Sequence, residues 1–166
     1  LLKAGRLTSG KIRIKPELIS FNQVLASAIE AMRPDMDARS HSFELDIPRE
    51  NVWVNADKTR LAQVLQNLLG NATKFTPNGG VIKLVASVTD RRLHVEVSDN
   101  GDGIAPAAMD HIFELFSQGD GLAASRQSGL GIGLSLARSL VQMHGGSISA
   151  SSPGVGKGSV FRFELP

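Results

Sequence analysis

Cysteine is absent from the 166 residues, which removes disulfide cross-links and thiolate chemistry and fits a reducing compartment. No apolar run approaches the ~20 residues that a membrane-spanning helix needs, and no signal peptide opens the chain. A surplus of charge is missing too. The 18 Lys and Arg against 16 Asp and Glu leave a net +2, too small and too dispersed to mark a nucleic-acid or membrane surface. Lys11, Arg13 and Lys15 alternate with Ile12 and Ile14 and read as the wet face of a short strand. There is no internal repeat. What is present, 42% apolar and 20% charged residues, has the make-up of one globular domain with a real core. The chain begins at Leu1 without a methionine and reads as a piece of a longer protein.

Hydrophobic period and punctuation predict the layout. Leu1, Leu2 and Leu7 read as the tail of a helix that starts upstream and closes at Ser9-Gly10. A short strand is expected at Ile12 and Ile14. A helix from Pro16 to Met32 follows, ended by Pro34, with Phe21, Val24, Leu25, Ala28 and Ile29 on one face. Phe43, Leu45 and Ile47 alternate with acidic residues as a half-buried strand, and Val52-Trp53-Val54 is another. Asp57 caps a helix whose apolar face is Leu61, Val64, Leu65, Leu68, Leu69 and Ala72, stopped at Pro77-Asn78-Gly79-Gly80. Strands through Ile82 to Val88 and Leu93 to Val97 flank a turn at Thr89 to Arg91. A helical stretch from Pro106 to Phe116, a polar segment, a helix around the 129–133 glycines ending at His144-Gly145-Gly146, and two closing strands complete the chain. Because the strands alternate wet and dry, helices should cover one face of a mixed, mostly antiparallel sheet: a two-layer α/β sandwich.

Chemistry concentrates in four places. On the helix after Asp57, Asn67, Asn71 and Lys74 fall within a sector of roughly 60° at helical spacing. They read either as a solvated face or as one ligand-facing set. Asparagine is a poor helix former, its amide oxygen suits magnesium, and lysine suits phosphate. Asp99-Asn100-Gly101-Asp102-Gly103-Ile104 reads as a turn, or as a strand-end carboxylate able to accept from an adenine amino group beside glycines that admit a flat base. Phe113-Glu114-Leu115-Phe116 reads as core packing or a ligand box. Gly129, Gly131 and Gly133 open a helix at a cost of ~0.5–1 kcal/mol each relative to alanine, and their bare amides at a helix N-terminus suit a phosphate.

In order, these elements resemble the ATP-binding catalytic domain of sensor histidine kinases, within the superfamily of gyrase, mismatch-repair and chaperone ATPases. Asn67 to Thr76 is similar to the N box, Asp99 to Ile104 to the first glycine box, Phe113 to Phe116 to the F box, and Gly129 to Gly133 to the second glycine box. The resemblance implies a sheet of about five strands under three helices, with a mobile ATP lid from roughly Ser117 to Ser128. It divides the chain into residues 1–9, the end of the second helix of an upstream dimerisation and phosphoacceptor domain, and residues 10–166, the catalytic domain. It implies ATP and Mg2+ as cofactors. Asn71 would hold magnesium, with Asn67 as a second or water-mediated ligand, and Lys74 would contact phosphate. Asp99 would read the adenine amino group, helped by Gly103 and Ser159, with Gly101 and Ile104 in the same box. Gly129, Leu130, Gly131 and Gly133 would form the phosphate cradle. Arg126 would reach the terminal phosphate, and Phe113 and Phe116 would hold the lid by packing.

Two departures stand out: Ser128 replaces a frequent glycine, and Leu130 a frequent threonine or serine. In the ATPase branches a glutamate activates water where Asn67 stands here, so slow hydrolysis is expected. None of the four histidines fits a phosphoacceptor: His41 opens a strand, His94 lies on a wet sheet face, His111 precedes the F box and His144 ends a helix. The acceptor histidine is therefore expected on a separate helical domain, with relay to the aspartate of a response-regulator receiver domain. The domain alone is expected to be monomeric and cytoplasmic, within a homodimeric parent that an inner-membrane anchor outside this piece could hold. The alternatives are a serine kinase of the anti-sigma type and a degenerate nucleotide-binding scaffold.

Overall fold

The computed structural model describes residues 13–109, 111–114 and 128–166, with backbone alone for 128–132. Its elements are β1 (Glu17–Ser20), α1 (Phe21–Ala38), β2 (Ser42–Asp46), β3 (Trp53–Ala56), α2 (Lys58–Phe75), β4 (Val81–Thr89), β5 (Arg92–Asp99), α3 (Pro106–Met109), α4 (Ser128–Met143), β6 (Ser147–Ser151) and β7 (Ser159–Leu165). Residues 1–9, expected as the end of an upstream helix, lie outside the described residues.

Five strands form one sheet in the order β2-β4-β5-β7-β6. β2 and β4 are parallel, and the other pairs are antiparallel. One face carries Ile82 and Leu84 of β4, Val95 and Val97 of β5, and Phe161 and Phe163 of β7, all buried. Under it α2 packs on β5, and α4 on β6 and β7, with α1 against α2. The opposite face bears Lys83, Ser87, His94, Glu96, Arg162 and Glu164, the last four joined by Arg162–Glu96 and His94–Glu164 pairs. The expected sandwich is what forms. Among the described residues there is a fourth, short helix, α3, where a longer stretch to Phe116 was expected; residues 111–114 are turn. No described helix is long and apolar enough to cross a membrane.

Other expectations change near the N-terminus. Ile14 lies in no strand, and Glu17–Ser20, expected as helix, instead pairs with β3 as a separate two-stranded ribbon, Ser20 opposite Trp53. The helix starts at Phe21 because Ser20 is extended and its Oγ accepts the Gln23 amide at 3.3 Å. A hydroxyl N-cap thus outcompetes Pro16 as the start signal. Nor does Pro34 end α1. The helix runs on to Ala38, because the missing hydrogen bond is offset by complete burial of Met36. It closes with the His41 amide on the Met36 carbonyl and the Ser40 amide on that of Asp37.

Asp57 is the centre of two contacts at the start of α2. Asp57 caps α2 as expected: Oδ1 accepts the Arg60 amide at 3.2 Å, and Oδ2 the Lys15 amide at 2.8 Å. The Asp57 amide itself donates to Nε2 of His144 at 3.0 Å, while Nδ1 of His144 donates to the Leu140 carbonyl at 2.7 Å. The neutral imidazole joins the end of α4 to the start of α2.

Candidate functional site

The helical period of α2 aims its leucines at the sheet and leaves Asn67, Asn71 and Lys74 on a flank that faces α4. With Gly70, and with Gly133 and Leu134 of α4, they line a cavity of about 190 Å³. Asn67 Nδ2 donates to the Gly133 carbonyl at 3.1 Å. Oδ1 of Asn71 is buried and has no hydrogen-bond partner. An oxygen in that state costs the fold ~1–3 kcal/mol. The ammonium of exposed Lys74 lies 5.5 Å from the centroid of the Phe75 ring.

α4 begins at Ser128, so the 129–133 glycines lie inside its first two turns rather than ahead of it. The unpaired amides of a helix start therefore sit about one turn from the Asn67–Gly133 contact. A Cβ at Gly133 would rest in ordinary contact with Asn67 Cγ, at 3.8 Å. Packing between the two helices does not require glycine there.

A second cluster stands at the end of β5. Asp99 faces Ser159 of β7 across the ladder. Its Oδ2 accepts the Ser159 hydroxyl at 2.9 Å, and Oδ1 accepts the Gly101 amide at 2.9 Å. Burial pushes its carboxyl above the usual value against the pull of those two hydrogen bonds. The box leans on the end of α2: the Asp102 amide donates to the Phe75 carbonyl at 2.9 Å, and a Cβ at Gly101 would overlap that carbonyl. Gly103 has φ +71°, and a Cβ there would overlap the Gly154 carbonyl. Glycine is needed at both positions by the protein itself, whatever ligand binds.

The structure thus brings Asn67, Asn71, Lys74 and Gly133 together, and separately Asp99, Gly101 and Ser159, with Phe75 bridging the two groups. Phe113 packs edge-on against Phe161, centroids 6.1 Å apart. Ile104 is half-buried against the core. Gly129, Leu130 and Gly131 are placed by backbone alone. The lid, Phe116 and Arg126 fall outside the described residues, apart from Ser128. Sequence reasoning missed Asn100, whose Oδ1 accepts the Val81 amide at 2.8 Å. It also missed His41, whose Nε2 lies 2.9 Å from the Thr76 carbonyl at the end of the N box, and Ser152. None of the three carried a local signal: the local side-chain turn of the box is made by Asp99, and Asn100 reaches an amide 19 residues away.

Residues 56–166 match the family described as histidine kinase-, DNA gyrase B-, and HSP90-like ATPase. The chain belongs to this family. Within it, the likeness is to sensor kinases. The adaptive-response sensory kinase SasA of Synechococcus sp. (strain JA-3-3Ab) is 38% identical over 170 residues, covering all of this chain and 44% of the relative. The sensor protein KdpD of Escherichia coli (strain K12) is 33% identical over 166 residues, all of this chain and 18% of that one. The chain therefore spans less than half the length of these relatives. Among solved structures, full-length ShkA in complex with AMPPNP superimposes with a TM-score of 0.80 at 32% identity, over 98% of this chain and 33% of that chain. The nucleotide-free catalytic domain of the histidine kinase ThkA gives 0.77 at 26%, over 92% and 96%. The chain is a histidine-kinase ATP-binding catalytic domain. Among the described residues of this domain, no group of His, Cys, Asp and Glu could hold a metal.

Proposed function

We propose that this catalytic domain binds Mg-ATP between α2, α4 and the end of β5, and transfers the γ-phosphate to a histidine on a separate helical domain. The observation that carries the reading is Asn71 Oδ1, a buried oxygen with no partner, on a residue that lines a cavity together with an amide, a lysine and a glycine. A hard amide oxygen fits magnesium, which takes one or two protein ligands and leaves the rest to water and phosphate. Asn71 would hold the ion and Asn67 would assist. Magnesium would neutralise charge on the phosphates.

The chain's own residues supply the rest. Lys74 swings from the Phe75 ring to a phosphate oxygen. The α4 amides around Gly129, Gly131 and Gly133 receive the remaining charge, beside Leu130. Asp99, with its orientation fixed by Ser159 and Gly101, accepts from the adenine amino group, and Gly103 and Ile104 hold the base against the backbone. Arg126 reaches the terminal phosphate, and Phe113 and Phe116 anchor the lid. Among the described residues no general base lines the cavity: Asn67 stands in its place and is bonded to Gly133, so water is a poor acceptor. Protein is the acceptor, and the sensor kinases among the relatives favour histidine over serine.

The nucleophile comes from outside. His144 and His41 are tied to backbone carbonyls, and His94 and His111 face glutamates on the surface. The reading assigns residues 10–166 to the catalytic domain and residues 1–9 to the helix before it. It makes the isolated domain monomeric and cytoplasmic, in a homodimeric parent that passes phosphate to a receiver domain. Calorimetric titration of AMPPNP with and without magnesium, followed by transfer from labelled ATP to the parent's helical domain added in trans, tests it. Magnesium-dependent binding and a labelled histidine are expected. Binding without transfer would leave a nucleotide-binding scaffold.

A further inference from the structure

The loop between β6 and β7 is stapled onto the first glycine box. The Gly156 amide donates to the Asp102 carbonyl at 2.6 Å, and the Gly158 amide to the Gly101 carbonyl at 3.1 Å. At the centre of this contact is the half-buried hydroxyl of Ser152. It accepts the Ile104 amide at 3.1 Å and the Gly154 amide at 3.2 Å, and donates to the Gly158 carbonyl at 2.6 Å. Its other carbonyl neighbour is that of Gly154, at 3.2 Å. Both lone pairs and the single proton of the hydroxyl are thereby used.

We infer that Ser152 is a positioning residue for base recognition, fixing the Gly101–Ile104 backbone relative to the Asp99 carboxylate. Ile104 ends the box that holds the base, and Gly158 immediately precedes Ser159, whose hydroxyl orients Asp99. One side chain therefore sets the position of the wall and of the hydrogen-bond acceptor together. Ser152 is not among the residues that line the cavity, and its role is to position those assigned to the base. Without its hydroxyl, the Ile104 amide loses its acceptor, and Gly158 is held only by its bond to Gly101. The Ile104 end of the box then shifts relative to Asp99 and Ser159, while the Gly158–Gly101 and Gly156–Asp102 bonds keep its Gly101–Asp102 end in place. The inference rests on the adenine site proposed above.

The test compares AMPPNP and GMPPNP affinities, with magnesium present, in the unmodified domain, Ser152→Ala and Ser152→Thr. Thermal melting of each free protein is recorded alongside. Removing the hydroxyl is expected to weaken AMPPNP about tenfold, to weaken GMPPNP less, and so to reduce adenine preference; threonine, which keeps the hydroxyl, restores it. A merely structural residue would shift melting and both affinities alike. Unchanged affinity and preference in folded Ser152→Ala overturns the inference, whereas failure of the unmodified domain to bind AMPPNP overturns the site on which it rests. If Ser152→Ala does not fold, Ser152→Cys, which keeps the volume and weakens the hydrogen bonds, answers the same question. Failure of both to fold makes Ser152 a residue of the fold alone and overturns the inference too.

Discussion

Asp99 and Ser159 stand opposite one another on neighbouring strands, and the Ser159 hydroxyl donates to Asp99 Oδ2 at 2.9 Å. Burial raises the carboxyl's pKa despite that bond and the one from the Gly101 amide. A group held more tightly protonated in the folded state than in the unfolded one stabilises the fold fully only below its unfolded pKa. That contribution is lost as pH rises through the folded value. At neutral pH the ionised Asp99 is a liability to the empty domain.

Asp99→Asn should therefore act in opposite directions on fold and function. The amide can still accept from Gly101, while the Ser159 hydroxyl turns to accept from it. Melting at pH 7 should rise, with the gain shrinking as pH falls through the raised folded-state value and gone below about 4. AMPPNP affinity should fall at least tenfold, or about 1.4 kcal/mol. Scanning calorimetry and titration read the two effects.

Asn71→Ala removes a buried oxygen that has no partner, so the free domain should lose little stability. Binding of AMPPNP without magnesium should persist, while the additional affinity conferred by magnesium should disappear. Titrations with magnesium and with EDTA separate the two.

Asp57 titrates in the other sense from Asp99. Burial works against its ionised form, but hydrogen bonds from the Lys15 and Arg60 amides and the Arg60 charge outweigh it and lower the pKa. Its contribution is present above the unfolded pKa and lost as pH falls through the folded value. Asp57→Ala should cost ~1 kcal/mol at pH 7, and the gap should narrow below about pH 4, read by urea unfolding across pH.

His144→Leu preserves the bulk but leaves the Asp57 amide without an acceptor, while the Leu140 carbonyl keeps only the weaker backbone donor at residue 144. A loss of ~1–3 kcal/mol is expected from urea unfolding, with AMPPNP affinity unchanged once the domain is folded, because no site residue touches His144.

Sequence patterning was most informative where one period dominated. The leucines of α2 define its buried face, so helical spacing alone places Asn67, Asn71 and Lys74 together. The alternation in β4 and β5 distinguished the covered from the open sheet face. Local signals misled where tertiary contacts overrode them. Pro16 looked like a helix start, yet pairing of Glu17–Ser20 with β3 claims those residues as a strand. Pro34 looked like a stop, yet burial of Met36 carries α1 past it. Ser152 was illegible because its three partners come from segments far apart in sequence or from a glycine loop without pattern. Gly101 and Gly103 were noticed for a ligand's sake, but their neighbours Phe75 and Gly154 already exclude a side chain.

The parallel pairing of β2 with β4 encloses everything between them, β3 and α2 included, as one crossover. α2 cannot be released while both strands stay in the sheet. Its amides should therefore exchange with solvent only when the whole domain opens, and the asparagines and lysine it carries form the least yielding wall of the cleft. The box at residues 101–104 rests on the end of α2 only at the Phe75 carbonyl and is otherwise secured by loop contacts, so adjustment to an arriving base should concentrate toward its Gly103–Ile104 end.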